Sequence, residues 1–533
     1  MVLFARLGLP EAWQSRTRYT LLITDLKDGE SFIRLWEQWK QDPRRPDRLH
    51  VVALSASLLD ASVLRSRLLA QTPAFLHAMV EQLAAQWPLN LPGTHRLDFE
   101  ELAVTLTLAV GPPDVTRRRL AVAADAVWGG EEVPVEFPDH HLSAPVSPTD
   151  NMLRLAIDPH EAKHAVVVGA GIAGASVAHA LALRGWRVQV LDLSTRRQLE
   201  HAAHVAAALT PMVTRDDDIR ARLSRAGSLR AHARWSRLSE DILWQCGALQ
   251  LQRVSGRIVD LKSIVAGLSF PTEWLRFVET DEASDLAGLP LNRGGLFFPT
   301  AARIRPERLI ETLLATQGVE RLEVHVERVE RVDGQWHVLN AQGEACAVAP
   351  RLILAGAVDT QDILRRSALL APRTRLAEMH ALGGEITILP ERILAGGPRC
   401  IVSGDGYILP ALEGQCVVGS SYVHGGKQMT PTIAGALGNI ERAADLLGQA
   451  QLPAMFNNLG QARLKGWAGR RAVLPSRIPF VGPLADTEGL WVATGFASRG
   501  LTWSTLAGDL IAAALNGEPL PLERDIMDKI SQT

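Results

Sequence analysis

The chain has 533 residues, of which 47% are apolar and 21% charged, with a formal net charge of -2. That length predicts two or three domains, and the near-neutral charge excludes a globally basic nucleic-acid binder while leaving local patches open. Cys246, Cys346, Cys400 and Cys416 show neither Cys-x-x-Cys spacing nor a paired-His motif, so no metal site and no disulfide framework are expected. No run approaches the roughly 18 to 20 apolar residues of a membrane span, and the N-terminus carries no cleavable small-residue site; a soluble cytoplasmic protein with no membrane partner is expected.

In chain order, residues 18–130 alternate strand and helix: RYTLLITDL, then SFIRLWEQWK, then LHVVALSASLL, then one apolar-periodic helix through SRLLAQTPAFLHAMVEQLAAQW. Trp36, Trp39 and Trp87 fall at apolar-periodic positions, which points to core packing rather than to stacking on bases. Residues 129–162 are rich in Pro, Asp and Glu and keep no period, so they read as a linker that holds the domain boundary. This gives an α/β domain over 1–130, a linker over 131–162 and a second part over 163–533.

From His164 the strand HAVVVGAG, a glycine turn, the helix ASVAHALALRG and the strand WRVQVLDL form one βαβ unit. The turn is Gly169, Ala170, Gly171, Ile172, Ala173 and Gly174. Its first glycine suits a tight turn, its second lets backbone approach a pyrophosphate, and its third allows close helix packing. Asp192 ends the second strand about 20 positions on, where a carboxylate takes ribose hydroxyls. The loop itself does not separate FAD from NAD. Near the C-terminus a further strand leads to a turn at Gly495 and a helix from Gly500, Leu501 and Thr502, a second positive helix end that suits a reduced, negative flavin. Between these parts lie antiparallel-looking strands, so parallel and antiparallel sheets coexist.

Over about 164–520 the segments GAGIAG, GGLFFPTAARIRPERLIETLL, GYILP, VVGSSY, GRRAVLPSRIPFVG and ATGFASRGLT resemble the glycine oxidase and D-amino-acid oxidase superfamily. WQCGALQL, GDGYILP with GSSYVHGG, and AQWPLNLPGTHRLDFEELAVTLTLAVG in the first domain resemble the bifunctional family that makes methylaminomethyl-thiouridine in tRNA. The resemblance implies an α/β fold: a Rossmann-like FAD-binding domain (about 163–235, 296–365 and 466–533) with an inserted antiparallel-sheet substrate domain (about 236–295 and 366–465), behind a shortened methyltransferase-like domain.

It also implies FAD as cofactor, tRNA as substrate, and loss of the carboxymethyl group from carboxymethylaminomethyl uridine at the wobble position. A monomer is expected. Arg471 and Arg499 match family arginines, read as lying in loops before cofactor-facing elements, and would anchor the substrate carboxylate. Tyr407 and Tyr422 would hydrogen-bond carboxylate or amine through their phenols. Gly383, Gly384 and Glu385 match a Gly-Gly-Gln stretch expected near the flavin, and His424 and Lys427 are candidates for phosphate contact.

Two departures stand out. Where the family runs a Gly-Ala-Ser-Gly-Asn stretch beside the flavin, this chain has Glu200-His-Ala-Ala-His204, with His204 in place of the asparagine. Where the family has a glycine-rich S-adenosylmethionine loop, it has Thr24-Asp-Leu-Lys-Asp-Gly29, and Ser55 stands in place of the ribose-binding acid. S-adenosylmethionine is therefore not expected as a cofactor. Two other readings remain: an oxidase of glycine or another small amino acid, and an inactive, FAD-free tRNA-binding protein.

Overall fold

The computed structural model describes residues 7–129, 147–158, 161–193, 204–253, 259–425, 430–457 and 465–532. They form two compact units: Met1–Lys163 with Leu183–Gly185 and Asp509–Gln532, and His164–Ala182 with Trp186–Gly508.

The first unit is built on a five-stranded sheet ordered Gly93–Phe99, Val104–Val110, Arg48–Ser55, Arg18–Ile23, Ala126–Trp128. Only the Gly93–Phe99 pairing is antiparallel. Every residue of Val104–Val110 is buried, as expected of a strand covered on both faces. The helix Glu30–Gln41 turns Phe32, Ile33, Leu35, Trp36 and Trp39 into that core. The indole N–H of Trp36 donates to Glu100 Oε1 at 3.0 Å, that of Trp39 to the Pro46 carbonyl at 2.8 Å and that of Trp87 to the Leu59 carbonyl at 3.0 Å, so these rings are packing elements. The single long helix expected after the second strand is two, Ala61–Gln71 and His77–Gln86. The break falls at Thr72-Pro73, where proline has no N–H to continue the ladder.

Within the stretch 131–162, Ser147 caps a short helix, Pro148–Arg154. Residues 130–146 lie outside the described residues. Thr149 donates to Asp528 at 2.6 Å and Arg524 to Asp150 at 2.5 Å, so the helix is fastened to the C-terminal helix Arg524–Ser531. The final segment thus packs with the first unit, whereas the sequence assigned it to the flavin part.

A buried ionic cluster also belongs to this unit. Arg184 donates to Glu518 Oε1 at 2.8 Å and Oε2 at 3.0 Å, and approaches Asp509 at 3.3 Å. Arg96 donates to Glu518 at 2.6 Å and to the Pro519 carbonyl at 3.0 Å. These four side chains are at most 1% exposed. Burial works to raise the Glu518 pKa, but Arg184 and Arg96 outweigh it and hold the carboxyl well below its usual range. His50 lies buried nearby, its Nδ1 2.8 Å from Thr105 Oγ1; burial holds its pKa down at about 3.

The second unit carries a six-stranded sheet ordered Val319–Glu323, Arg187–Asp192, His164–Val168, Arg351–Leu354, Leu490–Thr494, Phe480–Pro483, parallel except for the last strand. A nine-stranded, mostly antiparallel sheet adds the long strands His380–Pro390 and Lys465–Val473, paired in register from His380 opposite Val473 to Ile388 opposite Lys465. The helix Ile433–Leu447 covers this sheet, burying Ala436, Ile440, Ala443, Leu446 and Leu447 in one core with Leu249, Val402 and Val418.

Breaking a buried charge pair by removing one partner destabilises by roughly 3 to 5 kcal/mol. Glu518→Gln should therefore lower the urea midpoint of the first unit's unfolding transition; an unchanged midpoint would show the cluster to be incidental. With the His50 pKa at about 3 folded against 6.5 for an ordinary histidine, the unfolded chain binds more protons between those values. Stability is then full above pH 6.5 and falls as the pH drops toward 3. His50→Gln should flatten that fall in pH-dependent denaturation curves.

Candidate active site

The parallel strand His164–Val168 delivers its carboxyl end to the turn Gly169–Gly174, and the helix Ile172–Ala182 starts inside that turn. Gly169 has φ +108°, in the left-handed region, and a Cβ there would lie 2.7 Å from the Ala355 carbonyl oxygen. A Cβ on Gly174 would lie 1.8 Å from the Gly169 oxygen, which closes the helix onto the turn. A Cβ on Gly171 meets nothing within 4 Å. That open approach to backbone N–H groups at a helix N-terminus is what a pyrophosphate requires. Ala170 and Ala173 complete the turn. Asp192 ends its strand as expected, and one carboxylate oxygen accepts from the Ala170 N–H at 2.5 Å.

The second helix end is also present. Gly495, φ +76°, turns the chain out of the strand Leu490–Thr494, and the helix Gly500–Asn516 begins with Gly500, Leu501 and the buried Thr502. A Cβ on Gly500 would come 3.1 Å from Ile172 Cγ2, and one on Gly508 2.5 Å from the Ser176 carbonyl oxygen. The two helices therefore run in backbone contact with their N-termini side by side. Two positive ends and an open glycine turn at the carboxyl ends of parallel strands are what the pyrophosphate of a dinucleotide such as FAD would require.

The strand that carries Arg471 and the turn that carries Arg499 meet at the start of this second helix. Arg471 is in the strand Lys465–Val473, not in a loop as the sequence suggested, and sits opposite Leu382. Two residues on, Val473 bridges Phe496, and the Ala497 N–H donates to the Ala472 carbonyl at 3.0 Å. The strand thus ends against the turn before the helix Gly500–Asn516. Arg499, in that turn, donates to the Thr210 carbonyl at 2.9 Å, and burial lowers its pKa from the usual guanidinium value.

The Arg471 guanidinium crosses the neighbouring strand where Gly384 leaves room. A Cβ on Gly384 would lie 2.2 Å from Arg471 Nη1. Nη2 points to Ser420 Oγ at 3.4 Å, whereas Nη1 is buried with no hydrogen-bond partner among the described residues. Its Cζ stands 5.2 Å from the Tyr422 ring centroid. Burial pushes the Tyr407 phenol up to about 12, against the lowering field of Arg471. The structure therefore brings Arg471, Tyr407 and Tyr422 together, with one guanidinium N–H unsatisfied among the described residues.

Other residues fall elsewhere. The Glu385 carboxylate accepts from the Thr432 N–H at 2.8 Å and from its hydroxyl at 3.1 Å, so it fastens the N-terminus of the helix Ile433–Leu447. His204 stacks on Trp467, with centroids 4.5 Å apart and planes 8° from parallel. Of the stretch before it, residues 194–203 lie outside the described residues, as does Lys427, and the His424 side chain is likewise not described. Sequence reasoning missed Trp467 and the seat that Gly384 makes for Arg471. The available signal was the alternation of Trp467, Gly469 and Arg471 on one face of a strand. Among the described residues there is no group of three or more His, Cys, Asp or Glu able to hold a metal, and no helix is long and apolar enough to cross a membrane.

A family model described as FAD dependent oxidoreductase matches residues 164–514. The tRNA 5-methylaminomethyl-2-thiouridine biosynthesis bifunctional protein MnmC of Paraburkholderia phytofirmans is 32% identical over 98% of this chain and 91% of its own length. Its counterpart in Ralstonia nicotianae is 32% identical over 97% of this chain and 90% of its own. Among solved structures, glycine oxidase from Geobacillus kaustophilus superposes with a TM-score of 0.54 at 18% identity, over 69% of this chain and 98% of its own. Iminodiacetate oxidase from Chelativorans gives 0.53 at 23% identity, over 67% and 96%. These two share the fold of the second unit. With the glycine turn, the paired helix ends and a matching model over two thirds of its length, the chain belongs to the FAD-dependent oxidoreductase family and, within it, to the MnmC proteins.

Proposed function

We propose that the chain removes the carboxymethyl group from carboxymethylaminomethyl uridine at the tRNA wobble position, leaving the aminomethyl nucleoside. The observation that carries this reading is the buried Arg471 Nη1, unpartnered among the described residues and held beside the cofactor cradle. A buried guanidinium N–H without a partner is costly and calls for an anion. A substrate carboxylate at Arg471 supplies one. When bound, FAD accepts the hydride that leaves the carbon between carboxylate and amine, and water splits the resulting imine into the aminomethyl nucleoside and glyoxylate.

The residues of this chain hold and orient the substrate. Arg471 fixes the carboxylate, and Gly384 leaves the guanidinium room to lie flat across the sheet. Tyr407, its phenol held protonated by burial, can donate to the same carboxylate. Arg499, tied to Thr210, keeps the turn before the helix Gly500–Asn516 in place. The nine-stranded sheet would serve as the substrate domain and the six-stranded sheet as the FAD-binding domain. The relatives' names speak for tRNA over free glycine, and the intact glycine turn speaks against a flavin-free protein.

For the first unit we propose that no S-adenosylmethionine binds. The Leu26 N–H donates to the Leu54 carbonyl at 2.8 Å, and Leu26 itself is only 5% exposed within the core. The Ser55 hydroxyl donates to the Ser57 carbonyl at 2.7 Å. We read this loop as filling the carboxyl ends of the two central strands, where a nucleotide would sit in such a sheet.

Arg471→Ala should raise KM for carboxymethylaminomethyl tRNA by roughly a hundredfold, since truncating one side of a desolvated charge pair costs ~2 to 5 kcal/mol. Arg471→Lys should recover little, because an ammonium cannot copy the planar fork. Undiminished turnover in either variant would remove Arg471 from the site. Calorimetric titration of the full chain with S-adenosylmethionine should give no binding heat; a dissociation constant of roughly micromolar or tighter would contradict the closed cleft.

A further inference from the structure

The sequence offers Tyr422 as a hydrogen-bonding phenol, but its surroundings suit a different use. Tyr422 is 58% exposed, and no other exposed large aromatic occurs in the second unit among the described residues. The Arg471 guanidinium sits within cation–π distance, its Cζ 5.2 Å from the ring centroid. Val423, the next residue, is 49% exposed, and Ile433 is 46% exposed. Both segments are gathered at Glu385: the Ser421 N–H donates to its backbone carbonyl at 3.1 Å and the Thr432 N–H to its carboxylate at 2.8 Å.

We propose that Tyr422 binds substrate through its ring, as a stacking platform for the pyrimidine base whose carboxymethylaminomethyl arm reaches Arg471. This rests on the function proposed above. The four bonds between the carboxylate carbon and the base, each near 1.5 Å, span about 5 Å when extended. That reach, added to a hydrogen-bonded carboxylate–guanidinium contact, lets a base stacked on Tyr422 present its carboxylate to Arg471, whose Cζ stands 5.2 Å from the ring centroid. The energetics favour the ring over the phenol. Stacking of a base on an aromatic side chain changes affinity by roughly 5- to 100-fold on truncation, whereas an exposed phenol competes with water and a hydrogen bond there is worth roughly 2- to 10-fold. Tyr407, with its buried phenol, is the better placed of the two tyrosines for hydrogen bonding.

The test is calorimetric binding to the FAD-loaded full chain of two ligands: the nucleoside 5-carboxymethylaminomethyluridine, and glycolate, which has the carboxylate without the base. Tyr422→Ala should weaken the nucleoside roughly 20-fold or more and glycolate only roughly two- to fivefold, through loss of the ring that steadies Arg471. Tyr422→Phe, which keeps the ring and loses the phenol, should bind the nucleoside nearly as the unaltered protein does. A Phe variant that loses as much as the Ala variant would assign the contact to the phenol and overturn the platform. So would equal weakening of both ligands by Tyr422→Ala. Unaltered protein that does not bind the nucleoside overturns the function reading and the platform with it, and is recognised without any variant.

Discussion

Backbone contact between two helices is the constraint on which the second unit's site depends. The helices Ile172–Ala182 and Gly500–Asn516 approach so closely that a Cβ on Gly508 would lie 2.5 Å from the Ser176 carbonyl oxygen. Only there can their N-termini stand side by side at the carboxyl ends of the parallel strands. From this contact the rest follows in sequence. The open Gly171 lies at the start of one helix and Gly500 at the start of the other, so a dinucleotide seated there would meet two positive ends. Arg499 lies in the turn that begins the second helix, and the strand bearing Arg471 ends against that same turn. The proposed cofactor and carboxylate sites are adjacent because one helix start borders both.

Arg471 illustrates how a sheet can hold a charge ready for a ligand. A strand normally offers its neighbour a row of side chains, and a guanidinium laid across it would clash. Removing the side chain at Gly384 opens the lane, and Ser420 and the Tyr422 ring fix the plane of the fork. Among the described residues one of its N–H groups is left without a partner, and under the proposed function a substrate carboxylate would supply one. The fork is set by the protein's own residues, so little ordering would remain to be done on binding.

The parts legible in the sequence were those that backbone geometry imposes. The turn Gly169–Gly174 was legible because Gly169 takes a left-handed φ and a Cβ on Gly169 or Gly174 would meet backbone oxygen, and the strand before it runs into the turn through Ala165, Val166, Val167 and Val168. Trp36 and Trp39 could be assigned to the core from their period. Long-range choices were not legible. Arg471 looked like a loop residue because Gly466, Gly469 and the adjacent Arg470 and Arg471 mask the strand period in GWAGRRAV. Glu385 matched a flavin-facing motif yet fastens a helix start, a role set by where Thr432 arrives. Glu518 and Arg184 look like surface charges in the chain, and only the fold shows them buried against each other. The affiliation of residues 509–532 with the first unit is likewise invisible to any local window.

In its first unit the chain keeps an α/β sheet with a dense core, and Leu26 of the loop after the first strand packs into it. The oxidoreductase chemistry of the second unit is tested most directly by product stoichiometry. Purified, FAD-loaded protein is incubated with tRNA carrying carboxymethylaminomethyl uridine, the nucleosides are resolved by mass, and glyoxylate is assayed in the same reaction. The account predicts one aminomethyl nucleoside and one glyoxylate for each carboxymethylaminomethyl nucleoside consumed. Unchanged tRNA alongside oxidation of free glycine would contradict it.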